Sequence, residues 1–64
     1  MNINYSNNQF ITIERGLRGW FALLADNEGP ILSSDFSSDN RDLAIEDAIE
    51  WAESENIRLI LPKE

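Results

Sequence analysis

Apolar runs separated by glycine-containing turns predict three β-strands in the first half of the chain. Residues 9–14 are rich in β-forming side chains, with Ile11 and Ile13 on one face of the strand. Residues 20–25 form an unbroken apolar run, and residues 30–34 form a shorter run that begins with proline. The turns between these segments are typical of consecutive hairpins. The pattern therefore predicts a three-stranded antiparallel meander.

Between residues 41 and 55, the apolar side chains recur with the period of an α-helix. At 100° per residue, one arc of this helix is apolar and the opposite arc is acidic. The apolar arc contains Ile45, Ala48, Ile49 and Ala52, and the acidic arc contains Glu46, Asp47, Glu50 and Glu53. Leu43 is an exception, because it projects onto the acidic arc.

Polar residues at both ends of this segment favour the same helix. Asp39 or Asn40 can cap its N-terminus, and Asn56 tolerates the left-handed conformation that commonly ends a helix. A last apolar run at residues 57–61, stopped by Pro62, is typical of a short strand.

The resulting element order is β-β-β-α-β. It predicts an α+β fold in which a single amphipathic helix packs on one face of the antiparallel sheet, followed by a short C-terminal strand. We expect one domain over residues 9–62, preceded by a loose, asparagine-rich arm over residues 1–8.

The predicted middle strand is apolar on both faces, although one helix can cover only one of them. Alternation directs Trp20 to one face and Phe21 and Leu23 to the other. An uncovered apolar face of this kind usually marks an interface. We therefore predict a homodimer or a docked protein, with a contact surface formed by Ile11, Ile13, Trp20, Phe21 and Leu23. The alternative is that Ile3 and Tyr5 of the N-terminal arm fold back over the second face.

Composition excludes several kinds of chemistry. The 64 residues contain no cysteine and no histidine, so the chain forms no disulfide, no zinc site of the cysteine–histidine kind and no histidine-dependent triad. With 12 acidic residues against 5 basic ones, the formal net charge is −7, which disfavours direct binding of nucleic acid.

The N-terminus lacks a signal-peptide pattern, and no apolar run is long enough to span a membrane. We expect a cytoplasmic protein without a cofactor.

Most of the negative charge lies in the helical half. Residues 35–64 contain nine acidic and three basic residues, whereas residues 1–34 contain three and two. Catalytic carboxylates need a cleft that desolvates them, and the acidic arc of the helix faces away from the core. We therefore expect no catalytic and no metal-binding residue, and we expect the acidic helix face to lie in solvent. The alternative is that these carboxylates imitate nucleic-acid phosphates, as in phage-type inhibitors of the anti-CRISPR or anti-restriction class.

Residues 9–52 resemble two known families of small proteins. The Asn-Glu-Gly turn at residues 27–29, together with the Phe-Ser-Ser segment at residues 36–38 before the helix, resembles YegP-like domains. The order of elements is also similar to that of HicB-type antitoxins, although the Pro-Asp-Leu-Pro-Gly-like segment of those proteins is absent. Both resemblances imply the α+β fold, and neither implies catalytic residues.

The function that these patterns predict is that of a small acidic, non-catalytic module. It binds a protein partner or a second copy of itself, without direct contact with nucleic acid or membrane. Besides nucleic-acid mimicry, a role as an antitoxin-like partner protein is the remaining alternative.

Overall fold

The computed structural model describes residues 8–62 of the chain, which contain one four-stranded sheet and one helix. The elements are β1 (Phe10–Gly16), β2 (Gly19–Asp26), β3 (Gly29–Ser38), α1 (Arg41–Glu55) and β4 (Arg58–Leu59). This order confirms the predicted α+β fold. Of the predicted N-terminal arm, all but Asn8 lies outside the described residues. The one helix found in residues 8–62 is too short and too polar to cross a membrane.

The sheet is built from two tight hairpins and lies in the order β3-β2-β1-β4. Strands β1 and β2 are antiparallel, as are β2 and β3, and a two-residue loop joins each pair. Each loop ends at a glycine with a positive φ, Gly19 at 111° and Gly29 at 127°. At Gly19, a Cβ would lie 2.5 Å from the carbonyl oxygen of Ser38. Glycine therefore lets the start of β2 approach the end of β3, just before the chain enters α1.

Helix α1 covers one face of the sheet and forms the core with β1 and β2. The sheet contributes Ile11, Ile13 and Ala22, which are at most 2% exposed. The helix contributes three alanines spaced four residues apart: Ala44, Ala48 and Ala52. Because a methyl group is small, these alanines let the helix backbone lie close to the sheet. Larger, partly buried side chains surround this centre: Trp20, Leu24, Ile45, Trp51, Ile57 and Leu59.

Side-chain and backbone caps fix both ends of α1. Asn40 is the N-cap, and its side chain accepts a hydrogen bond of 2.9 Å from the backbone N–H of Asp42. Asn56 adopts the left-handed conformation (φ 57°, ψ 44°). The N–H of Ile57 donates to the carbonyl of Ala52 at 2.9 Å, which completes a Schellman motif. Both predicted caps are confirmed, with Asn40 rather than Asp39 at the N-terminus.

Strand β3 is longer and less regular than the sequence predicts. It extends to Ser38, whereas the apolar pattern ends at residue 34. Two register shifts against β2 interrupt it, one of them opposite Ala22. There the Ser34 hydroxyl accepts a hydrogen bond from the Ala22 N–H at 3.2 Å and donates one to the Phe36 carbonyl at 3.2 Å. The hydroxyl thus replaces a ladder partner where the strand bulges.

Strand β4 is shorter than the predicted run and lies parallel to β1. Only Arg58 and Leu59 form bridges, with Phe10 and Ile11. One further hydrogen bond runs from the Ile60 N–H to the Ile11 carbonyl, at 2.8 Å. The next residue that would donate to β1 in a parallel ladder is Pro62, which has no N–H. Proline therefore ends the pairing on this edge of the sheet.

Candidate protein-binding surface

Three of the five predicted contact residues lie on the face that the helix covers. Ile11 and Ile13 are 0% and 2% exposed and belong to the core. The expectation that they lie at a contact surface is therefore wrong, because a docking protein cannot reach them. Trp20 also points toward the helix and packs against the core. The Arg41 guanidinium lies 5.4 Å from the centre of its ring, in cation–π geometry.

The remaining two predicted contact residues lie on the opposite face of β2. Leu23 is only 9% exposed and its neighbour Ala25 only 6%, on a strand with a hydrogen-bonded neighbour on each side. Phe21 is half-buried. It lines an open depression of about 350 Å³ together with residues of the β1–β2 hairpin and of β3, including Arg18 and Ser37. The apolar area accessible on this face is therefore smaller than the sequence predicts. The proposed fold-back of Ile3 and Tyr5 lies outside the described residues.

Large exposed apolar side chains lie at both edges of the sheet: Ile60 and Leu61 follow β4, and a larger group lies beside β3. Leu32 is 58% exposed, and Phe36 and Leu43 are each 43% exposed. Leu32 pairs with Leu24, which packs on the core, so its side chain points to the helix side of the sheet. Leu17, at 107% exposure, is by contrast an isolated residue at the tip of the first hairpin.

Phe36 of β3 and Leu43 of α1 form one surface with part of the acidic helix face. Both line a shallow depression of about 200 Å³ that also has three carboxylates in its wall: Glu46, Asp47 and Glu50. We call these five residues together with Leu32 the β3 edge surface. The β3 edge surface explains why Leu43 projects onto the acidic arc of the helix. Part of this arc lies next to the edge of the sheet, where Leu43 lines the same depression as Phe36.

The acidic helix face lies only partly in solvent. Glu46, Glu50 and Glu53 are exposed, as predicted, whereas Asp47 is half-buried. The Asp47 Oδ2 atom is enclosed and accepts no hydrogen bond from the residues that the structure describes. A carboxylate held in this way has incomplete hydration, so a nearby cation would stabilise it.

The carboxylates are not arranged as a metal centre within residues 8–62. No three acidic side chains in this part of the chain come together closely enough to hold an ion. The exposed row of glutamates therefore offers negative charge without a coordination shell. The expectation that the protein is not an enzyme stays a prediction.

The sequence contained one sign of the β3 edge surface. Leu43 was out of phase with the apolar arc, which indicated an apolar contact away from the core. Phe36 carried no such sign, because the predicted third strand ended before it. Its position depends on the bulge at Ser34, a contact between strands that the local sequence pattern does not encode.

Comparison of the chain with known protein families, with curated proteins and with solved structures finds no match. The resemblances to YegP-like domains and to HicB-type antitoxins therefore stay predictions.

Proposed function

We propose that this protein is a small, non-catalytic module that binds another protein through the β3 edge surface. The observation that carries the proposal is the exposure of Phe36 and Leu43 beside three carboxylates. Leu32, exposed on the same side of β3, extends this surface along the strand. Large apolar side chains grouped at a sheet edge and rimmed by polar groups are typical of protein contacts. An aromatic ring near the centre of such a surface is a common energetic anchor.

A heterologous partner fits this surface better than a second copy. In a two-fold dimer, the same patch meets itself. Glu46, Asp47 and Glu50 of one copy would then face the same carboxylates of the other, and like charges across an interface oppose association. Self-association through the Phe21 face, which the sequence predicted, involves a separate surface and stays a prediction.

The second candidate function is nucleic-acid mimicry by the acidic helix. Glu46, Glu50 and Glu53 are all exposed and occupy positions i, i+4 and i+7 of α1. At a rise of about 1.5 Å per residue, the steps between neighbouring residues of this row are about 6 Å and about 4.5 Å along the axis. Such a row presents regularly spaced negative charge to a basic groove.

Affinity capture from the native cells with three forms of the full chain tests the first proposal. The forms are wild type, the Leu32→Ser/Phe36→Ser variant, and Leu17→Ser as the control for loss of an exposed apolar side chain. We expect a partner that wild type and Leu17→Ser retain and that the double variant loses by about tenfold or more, equivalent to about 1.4 kcal/mol of binding. Calorimetry with the purified partner measures the same ratio directly.

Equal recovery with all three forms would overturn the proposal. If the captured protein binds nucleic acid and a short DNA duplex displaces the chain from it, the hypothesis of nucleic-acid mimicry is correct. Binding through the β3 edge surface is then wrong. Circular dichroism of each variant before capture shows whether the fold is intact.

A further inference from the structure

We propose that the partner segment at the β3 edge surface is a cationic amphipathic helix, with arginine or lysine beside its apolar stripe. This inference rests on the proposed function and specifies the chemistry of the partner. Three features of the surface support it: the charge around the depression, the irregular backbone of β3 and the length of the apolar strip.

The charge and the apolar groups around the depression favour a cationic partner. Phe36 of β3 lines it together with four residues of α1: Leu43, Glu46, Asp47 and Glu50. A lysine or arginine side chain fits this lining, because its methylene stem covers apolar surface while its head group reaches carboxylates. The Phe36 ring also favours a cation over its face. Among residues 8–62, no basic side chain lines the depression.

Strand β3 is a poor template for an added strand of a partner. Strand addition requires a regular row of backbone donors and acceptors along the edge. Pro30 contributes no N–H, and the two register shifts break the regular spacing of the remaining groups. Recognition must therefore come mainly from side chains, which is the way a helix docks on a groove.

The length of the apolar strip on β3 also fits a short helix. Leu32 and Phe36 are four residues apart on a strand, so their Cα atoms are at most about 13 Å apart. This distance corresponds to about nine residues of α-helix. Anchors at positions i, i+3, i+4 and i+7 of a partner helix span about 10.5 Å, which is most of this distance. A helix of three turns is thus sufficient to contact the whole surface.

Fluorescence anisotropy with three labelled 16-residue peptides tests the inference on the full chain. The first peptide is helical, with leucine at i, i+3, i+4 and i+7 and arginine on both flanks. In the second, citrulline replaces arginine and removes only the charge, and in the third, serine replaces leucine. We expect the second and third peptides each to bind about tenfold or more weakly than the first.

Two charge-reversal variants separate a defined surface from general attraction to an acidic protein. Glu46→Lys/Glu50→Lys changes the β3 edge surface, whereas Glu14→Lys/Glu55→Lys makes the same change in net charge at exposed positions of β1 and of the last turn of α1. We expect the first variant to bind the arginine peptide about tenfold more weakly and the second to change binding by less than about threefold, since distant exposed charges are screened.

Equal weakening by the two variants, or equal binding of the arginine and citrulline peptides, would overturn the inference. The failure of the inference is distinguishable from failure of the proposed function. If the native partner is lost with Leu32→Ser/Phe36→Ser but retained by Glu46→Lys/Glu50→Lys, the protein-binding function stands and the cationic helix is wrong.

Discussion

The core under α1 and the β3 edge surface differ in the size of their apolar side chains. Four alanines and two isoleucines form the fully buried centre, whereas leucine and phenylalanine lie at the edge with about half of their surface exposed. The small side chains let the helix approach the sheet closely. The buried centre thus lies between the helix and strands β1 and β2, whereas the leucine and phenylalanine beside β3 stay partly uncovered.

This difference separates the residues that hold the fold from those available to a partner. A short chain buries a small fraction of its surface, so a few core side chains carry much of the free energy of unfolding. The exposed leucines and phenylalanine contribute less to that free energy, and replacing them should change binding more than folding. Three pairs of substitutions test this separation.

The largest expected effect comes from Ile11→Ala, compared with Leu32→Ala. Ile11 is fully buried and Leu32 is 58% exposed. We expect Ile11→Ala to lower the free energy of unfolding by about 3 kcal/mol, because it leaves a cavity in the core. Leu32→Ala should change it by less than about 0.5 kcal/mol. Urea denaturation followed by tryptophan fluorescence measures both values. Similar losses for the two variants would mean that β3 is part of the core.

A second pair tests whether alanine sets the distance between helix and sheet. Ala48 is fully buried on the sheet side of α1, and Ser54 is exposed on the same helix. We expect Ala48→Leu to destabilise the protein by about 2 kcal/mol through overpacking. Ser54→Leu adds a similar side chain in solvent and should have an effect below about 0.5 kcal/mol. Thermal unfolding gives the comparison, and an unchanged midpoint for Ala48→Leu would show that the contact has room for a larger residue.

The smallest expected effect concerns the bulge that links the two regions. Ser34→Ala removes the acceptor for the N–H of Ala22, a residue that is fully buried. We expect a loss of about 1 kcal/mol, because the donor stays buried without a partner. Ser33→Ala, at an exposed neighbouring position, is the matched control and should be neutral. The Ala22 amide should exchange its hydrogen more slowly in wild type than in Ser34→Ala, which would confirm the hydrogen bond. Equal exchange rates in the two proteins would contradict it.

Local signals explain which parts of the fold could be predicted from sequence. The bounds of α1 follow from caps within a few residues of each end, Asn40 and Asn56, and from one continuous helical period. Strands β1 and β2 follow from apolar runs next to glycine turns. The far half of β3 could not be predicted, because serine and aspartate have low β-propensity, and this part of the strand is held by the pairing of Ser37 and Ser38 with β2.

The candidate site was harder to predict than the fold. Alternation along β1 and β2 separates two faces, but it does not say which face the helix covers. Ile11 and Ile13 were therefore assigned to a contact surface although they belong to the core. The position of β4 depends on a contact between distant parts of the chain, and local patterns contain no information on it.

The parallel pairing of β4 with β1 also has a consequence for the order of folding. Both hairpins join residues that are close in the sequence, so they close short loops and can form early. The β1–β4 bridges instead join opposite ends of the described chain. Closing this long loop costs more conformational entropy, and only two bridged pairs stabilise it. Their closure waits until α1 has docked on the sheet and brought Arg58 to Phe10. We therefore expect strand β4 to be the last element to add and the first to be released when the protein unfolds.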